Sequence, residues 1–187
     1  MKITLLHPSR WRASQARETL DLWLARAQFP EFIQHILSLD DDDDQINEYR
    51  KLFLDSEIHI GSNKNVVQAT NAARHLATGE IIIYLSDDFQ CPDYWDRLIV
   101  QNYLKQGHPD LWLVRVDDLL QKTTADVLTI PIMSKKLMHH LGYFWHPLYS
   151  SMFVDQDLYY TCQNNGWLFY APDLKFPHMH CCNGKAP

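Results

Sequence analysis

The chain has 187 residues, 46% of them hydrophobic, and its 17 basic and 23 acidic side chains leave a formal net charge of −6. That length supports one domain with a substantial core, and that hydrophobic fraction excludes a disordered chain. The acidic balance supplies no basic stripe to release counterions, which excludes bare nucleic acid as a partner while leaving a nucleotide open.

Met1-Lys2-Ile3-Thr4-Leu5-Leu6 predicts a short strand over 3–6. The run is too short, and its continuation too polar, for a signal peptide. No apolar run reaches the length of a membrane span. The expectation is a soluble, cytoplasmic chain with no integral membrane segment. Ala16, Leu20, Trp23, Leu24 and Ala27 then recur at helical spacing and predict a helix over about 14–27. A strand over 32–39 runs into Asp40, Asp41, Asp42, Asp43 and Asp44. A short helix or turn over 46–53, a strand over 57–60, a polar loop from Gly61 and a helix over 66–77 follow. Residues 80–85 form the next strand, and Ile81, Ile82, Ile83, Tyr84 and Leu85 are continuously apolar, as in a strand covered on both faces.

Pro92 and Asp93 mark a helix start, with Trp95, Leu98, Ile99 and Tyr103 on one face. Strands over 111–116 and 127–131, a helix over 134–141 closed by Gly142, a helix over 155–164 stopped by Gly166, and a strand near 168–171 complete the order. Alternating strands and helices predict an α/β sheet with both faces covered. Cys91, Cys162, Cys181 and Cys182 form no C-x-x-C pair and no zinc-finger spacing, so reduced thiols are expected.

In such a fold the chemistry belongs at the strand ends. Asp87 and Asp88 follow a buried strand, where they either hold Mg²⁺ or Mn²⁺ or form an ordinary acidic turn, in open water or on a cation. The five consecutive aspartates lack the spacing and glycine of an EF-hand loop. Their mutual repulsion turns most of them to solvent and leaves one or two at the strand end to accept hydrogen bonds from a base or ribose. Pro8-Ser9-Arg10 is either a simple turn or the place where an arginine meets a diphosphate. Asp155 and Asp157 suit the first turn of a helix through capping. One of them also suits a general base, but two residues apart they cannot share a helix face. His178 and His180 alternate on an extended segment, which points both imidazoles to one side and suits a metal. His139, His140 and His146 read as packing or surface residues, and the aromatic run from Tyr143 to Tyr149 as either core or a surface for sugar rings.

The order of these features resembles the nucleotide-sugar glycosyltransferases of the GT-A fold, especially the family 2-like group, over nearly the whole chain. The matching motifs are Pro8-Ser9-Arg10 after the first strand, Asp40-Asp41-Asp42 after the second, Ala69-Thr70-Asn71 with Ala77-Thr78-Gly79, and the acids after residue 85. The resemblance implies a Rossmann-like, mostly parallel sheet flanked by helices. It implies one domain over 1–187, with residues 1–90 as the nucleotide-binding half and 91–187 as the acceptor-side half. Gly184-Lys185-Ala186-Pro187 looks like the opening of a further segment.

The resemblance also implies roles. Pro8, Ser9, Arg10, Asp40, Asp41, Asp42, Asn71 and Asp87 would contact the nucleotide, with Asp87 at the ribose or behind the metal. Asp88 would ligate a divalent ion, Mn²⁺ or Mg²⁺, completed by His178 or His180. Asp155, in Val154-Asp155-Gln156-Asp157-Leu158, would be the base. Ser86 stands where the family has the first Asp of Asp-x-Asp, and Val154 where it has a leading Glu. The implied partners are a nucleoside diphosphate sugar and a saccharide or other hydroxyl acceptor. The implied reaction is an inverting, metal-assisted transfer. Two other classes fit the same elements: a nucleotide- or carbohydrate-binding domain without catalysis, and a sugar-phosphate nucleotidyltransferase. The latter usually carries a Gly-rich basic loop after the first strand, which this chain lacks.

Overall fold

The computed structural model describes residues 1–120 and 126–179. Within them the elements are β1 (Ile3–Pro8), α1 (Ala13–Arg26), β2 (Ile33–Asp40), α2 (Ile46–Leu52), β3 (Glu57–Gly61), α3 (Val66–Ala73), β4 (Ile81–Tyr84), α4 (Trp95–Lys105), β5 (Leu113–Asp117), β6 (Ile132–Ser134), α5 (Lys135–Leu141), α6 (Val154–Asn164) and β7 (Leu168–Lys175). They build a seven-stranded sheet in the order β3-β2-β1-β4-β6-β5-β7. Every pairing is parallel except those of β6, which runs against both β4 and β5.

β1 is central because its residues have apolar work to do on both faces. Leu5 joins Leu37, Leu39 and the α1 residues Ala16, Leu20 and Trp23 on one side. Leu6 joins Ile36, Ile82 and the α3 residues Val67 and Ala73 on the other. α1 buries its residues at the three- and four-residue spacing of one helix face. Gly79 lets the chain reach β4 close against β1: a Cβ there would lie 2.6 Å from the Thr4 backbone nitrogen.

Strand order reverses between β1 and β4, since β2 and β3 lie to one side of β1 and β4 to the other. That reversal opens a crevice at the carboxyl ends of these two strands. α1 pins the segment leaving β4. Thr19 Oγ1 donates to the Asp87 carbonyl at 2.7 Å, Trp23 Nε1 donates to the Phe89 carbonyl at 3.0 Å, and Trp95 Nε1 donates to the Trp23 carbonyl at 2.7 Å.

Three elements differ from expectation. The strand expected over 127–131 lies instead at Ile132–Ser134. Pro131 has no N–H for the ladder, although its carbonyl still accepts from Tyr84 N at 3.1 Å. The helix expected over 66–77 stops at Ala73 and gives way to a 3-10 turn at Arg74–Leu76. There the Arg74 guanidinium and the His75 ring take the Asn71 and Ala72 carbonyls. β7 continues to Lys175, past the expected end near 171, with a register shift opposite Val116 and Asp117.

Among the described residues no helix is long and apolar enough to cross a membrane. Cys91 and Cys162 are free and buried, and burial pushes both thiols up to about 12. Cys181 and Cys182 lie outside the described residues.

Candidate functional site

At the switch point, a cleft of about 300 Å³ is lined by Pro8, Ser9, Arg10, Asp40, Tyr84, Ser86 and Asp87, among others. Arg10 spans two of the aspartates, with one guanidinium nitrogen 2.9 Å from Asp40 Oδ2 and the other 2.7 Å from Asp42 Oδ2. Its guanidinium carbon also lies 4.1 Å from the centre of the Trp11 ring. Trp11 adopts a left-handed φ of 58° and leaves its side chain exposed. What holds it there is Asp43, whose carboxylate accepts from Trp11 N and from Gln45 N, both at 2.8 Å. Asp40 and Asp43 are buried, while Asp41, Asp42 and Asp44 are exposed. Nothing in a run of five identical residues marks Asp43 as the structural one.

Asp87 is 7% exposed, so of the two expected surroundings, open water or a cation, open water does not hold. The α/β crossover brings β1 beside it. His7 Nε2 donates to Asp87 Oδ1 at 2.8 Å, and Ser9 Oγ donates to Oδ2 at 3.0 Å. Behind Ser9, Tyr49 Oη lies at 2.9 Å, and Arg12 N donates to that same phenol oxygen at 3.0 Å. Burial raises the Tyr49 phenol to about 12, so it keeps its hydrogen and donates toward Ser9, which donates to Asp87. His7, His35 and Tyr49 were missed from sequence. The available signal was polar: His7 and His35 fall on the alternating positions that otherwise carry Ile3 and Leu5 in β1 and Ile33, Leu37 and Leu39 in β2.

Asp88 meets a different partner. The chain after β7 turns back over the end of the sheet, where His178 N donates to the Asp118 carbonyl at 3.0 Å and Met179 N to the Asp88 carbonyl at 2.9 Å. His178 Nε2 thereby lies 3.0 Å from Asp88 Oδ2, with its ring edge-on to Phe89. Burial alone would raise the Asp88 carboxyl, but the His178 ring and the nearby Ser86 hydroxyl outweigh it and hold it below the usual range. Asp88 Oδ1 is buried and, among the described residues, finds no hydrogen-bond donor. An acceptor oxygen left in that state, beside an imidazole, fits a divalent cation with oxygen and nitrogen preferences. Among the described residues no three His, Cys, Asp or Glu side chains form a metal cluster. His180 lies outside the described residues.

Asn71 turns both ends of its amide to the protein backbone. Its Oδ1 accepts from Phe144 N at 2.8 Å and Trp145 N at 3.1 Å, and its Nδ2 donates to the Trp145 carbonyl at 2.6 Å. The aromatic run divides accordingly. Phe144 and Trp145 are buried and pack on Tyr84, a cleft residue, whereas Tyr143, His146 and Tyr149 stay partly exposed. Asp155 lies in the first turn of α6, half-buried, and its Oδ1 accepts from Gln156 N at 3.0 Å. Asp157, two residues on, accepts instead from Tyr149 Oη at 3.3 Å.

The sheet order, its single antiparallel strand and the crevice at the switch point make this a GT-A-like glycosyltransferase fold. Solved structures agree with it. The chain superposes on S. aureus TarS 1-349 in complex with UDP with a TM-score of 0.67 and 15% identity, covering 94% of this chain and 59% of that one. On the same protein in complex with UDP-GlcNAc the TM-score is 0.70 and the identity 12%, over 94% of this chain and 57% of that one. On the mannosyltransferase PcManGT from Pyrobaculum calidifontis, in complex with GDP-Man and Mn²⁺, the TM-score is 0.66 and the identity 16%, over 95% and 56%. The chain therefore spans well under two thirds of these proteins. No family model and no curated protein matches the sequence.

Proposed function

We propose that the chain transfers a sugar from a nucleoside diphosphate sugar to an acceptor hydroxyl, with inversion and with the assistance of Mn²⁺ or Mg²⁺. The observation that carries this reading is the buried Asp87 at the switch point, which lines the cleft with Arg10 and, on its other side, a second cleft with Asp88, the partner of His178. The ligands of the superposed proteins, UDP, UDP-GlcNAc and GDP-Man, support the donor class.

In this reading Pro8 and Ser9 wall the nucleotide, and Arg10 turns part of its fork from Asp40 and Asp42 to the diphosphate. Asp40, Asp41 and Asp42 accept from the nucleoside, and Asp87 accepts from a ribose hydroxyl. Asn71 serves the nucleotide side indirectly, by holding the 144–145 backbone against α3. Asp88 and His178 hold the divalent ion, with His180 as a further candidate ligand. When bound, that ion neutralises charge on the departing diphosphate. Asp155 removes the acceptor hydroxyl proton as the oxygen bonds to the anomeric carbon and the sugar–diphosphate bond breaks, its electron pair leaving on the diphosphate. Tyr143, His146 and Tyr149 offer ring faces on the acceptor side.

A second reading, a binding module with this cleft and no turnover, is favoured by Ser86 and Val154, which stand where acids are expected. Incubation with UDP-GlcNAc, GDP-Man and related donors in Mn²⁺, followed by assay of free nucleoside diphosphate, separates the two. Metal-dependent release that disappears in Asp88→Ala supports the transferase. Binding without release supports the module, and neither binding nor release overturns both.

A further inference from the structure

Beneath α1, a file of polar side chains crosses a face of the sheet that is otherwise apolar. Leu5, Leu37 and Leu39 belong to the core on that face. His7 and His35 sit among them, 0% and 6% exposed. The pairing of Leu5 with His35 and of His7 with Leu37 sets the two imidazoles diagonally across adjacent strands, edge to face. Two buried imidazoles are costly unless each ring nitrogen finds a partner. All four do: Ser56 Oγ lies 2.8 Å from His35 Nδ1, His35 Nε2 lies 3.0 Å from His7 Nδ1, and His7 Nε2 lies 2.8 Å from Asp87 Oδ1.

The hydrogens in this file are ordered by its end. A carboxylate only accepts, so His7 Nε2 must carry a hydrogen. One hydrogen lies between the two rings. With neutral His7, that hydrogen sits on His35 Nε2, and Ser56 donates to His35 Nδ1. With His7 as imidazolium, His35 accepts at Nε2, carries its hydrogen on Nδ1 and donates to Ser56. Every nitrogen is satisfied either way, and His7 donates to Asp87 in both. The surroundings keep His35 neutral: burial, then His7, then Arg17 of α1, lower it well below the ordinary value. Just past the end of α2, the Phe53 ring stacks on His35, and Tyr49 of α2 meets the file through Ser9.

We infer that His7 and His35 are positioning residues for Asp87: the Ser56–His35–His7 file fixes the His7 ring with its Nε2 hydrogen on the Asp87 carboxylate, and so fixes the acid that walls the cleft. Leucine at either histidine position would suit the surrounding core without any polar requirement. The imidazoles instead hold one oxygen of Asp87 while Ser9 holds the other, leaving the remaining lone pairs to a group in the cleft. The inference stands on the buried file and goes beyond the proposed reaction.

The test is ¹⁵N NMR of the histidine rings in the intact protein, with His35→Phe and His35→Gln as variants. His35→Phe keeps a ring against Phe53 and removes both nitrogens. His35→Gln keeps an amide that can meet His7 Nδ1. The wild type is expected to show a His7 ring whose Nε2 bears hydrogen throughout the folded pH range. In His35→Phe the Nε2 hydrogen stays with Asp87, but the His7 Nδ1 resonance shifts as it loses its partner, and Mn²⁺–UDP or Mn²⁺–GDP binds roughly tenfold more weakly, about 1.4 kcal/mol, while His35→Gln restores both. A wild-type His7 with a bare Nε2, or a His35→Phe protein with the wild-type His7 signal, overturns the inference. Should His35→Phe not fold, the wild-type ring and His35→Gln decide it. Absence of nucleotide binding to the wild type counts against the proposed function and leaves the ring measurement to judge the file.

Discussion

His178 Nε2 lies 3.0 Å from Asp88 Oδ2, a contact across 90 positions of sequence. It exists because the segment after β7 hydrogen-bonds to both Asp118 and Asp88 and lays an imidazole over the end of β4. If the pair holds the divalent ion, Asp88→Ala abolishes metal-dependent nucleotide binding. His178→Ala raises the Mn²⁺ concentration needed for half-maximal effect by about 10- to 100-fold, the loss usual for a group that ligates or orients at a metal. Thermal midpoints with nucleoside diphosphate across a Mn²⁺ titration read both. A nucleotide at a hundred times its dissociation constant adds about 2.7 kcal/mol to the wild type.

Arg10 and Arg12 both line the cleft, and Arg10 is the one paired with the buried Asp40. Arg10→Ala is expected to weaken nucleoside diphosphate binding by roughly 10- to 100-fold, since a charged hydrogen bond contributes about 1.5–3 kcal/mol. Calorimetric titration at fixed salt checks this. An unchanged dissociation constant would place the diphosphate elsewhere.

Asp155→Asn preserves shape and removes the base. Transfer should fall by about 10²- to 10⁴-fold with donor affinity unchanged. A variant that keeps full transfer removes Asp155 from that role and turns attention to Asp157, two positions along α6.

Asn71 joins α3 to the aromatic loop through three hydrogen bonds. Asn71→Ala leaves two backbone N–H groups and a carbonyl without their partner, for a loss of about 2–4 kcal/mol. Urea unfolding should show a lower midpoint at constant slope. Asn71→Asp, which still accepts from both N–H groups, should lose less.

The depressed His35 value sets a pH dependence of stability. The unfolded chain takes up a proton near pH 6.5, the folded chain only at a lower pH, so between the two the unfolded state binds more protons. This contribution is complete above about pH 6.5. It is lost as pH falls from there toward the folded value, at up to ~1.4 kcal/mol per unit. Asp88, also depressed, adds a loss only below its ordinary value of 3.8. Thermal midpoints from pH 7.5 to 5 should decline in the wild type and flatten in His35→Phe.

The sequence by itself determined the alternation of strands and helices, the apolar run of β4 and the acids that close it, because periodicity and strand-end chemistry are local properties. It also placed residues 8–10 and 40–42 at strand ends, where the structure brings Arg10 onto Asp40 and Asp42. Its error over 127–131 was local too: an apolar run resembles a strand whether or not its proline can join a ladder. Only the tertiary structure decided which acids are buried and with whom. Asp87 and Asp88 are neighbours in the chain, yet one is held by His7 and Ser9 and the other by His178. Those partners come from β1 and from the segment after β7, so only the packing of the sheet brings them there. Burial of Asp43 among five identical residues, and the pairing of His7 with His35 across two strands, likewise follow from strand register and from α1 closing over that face.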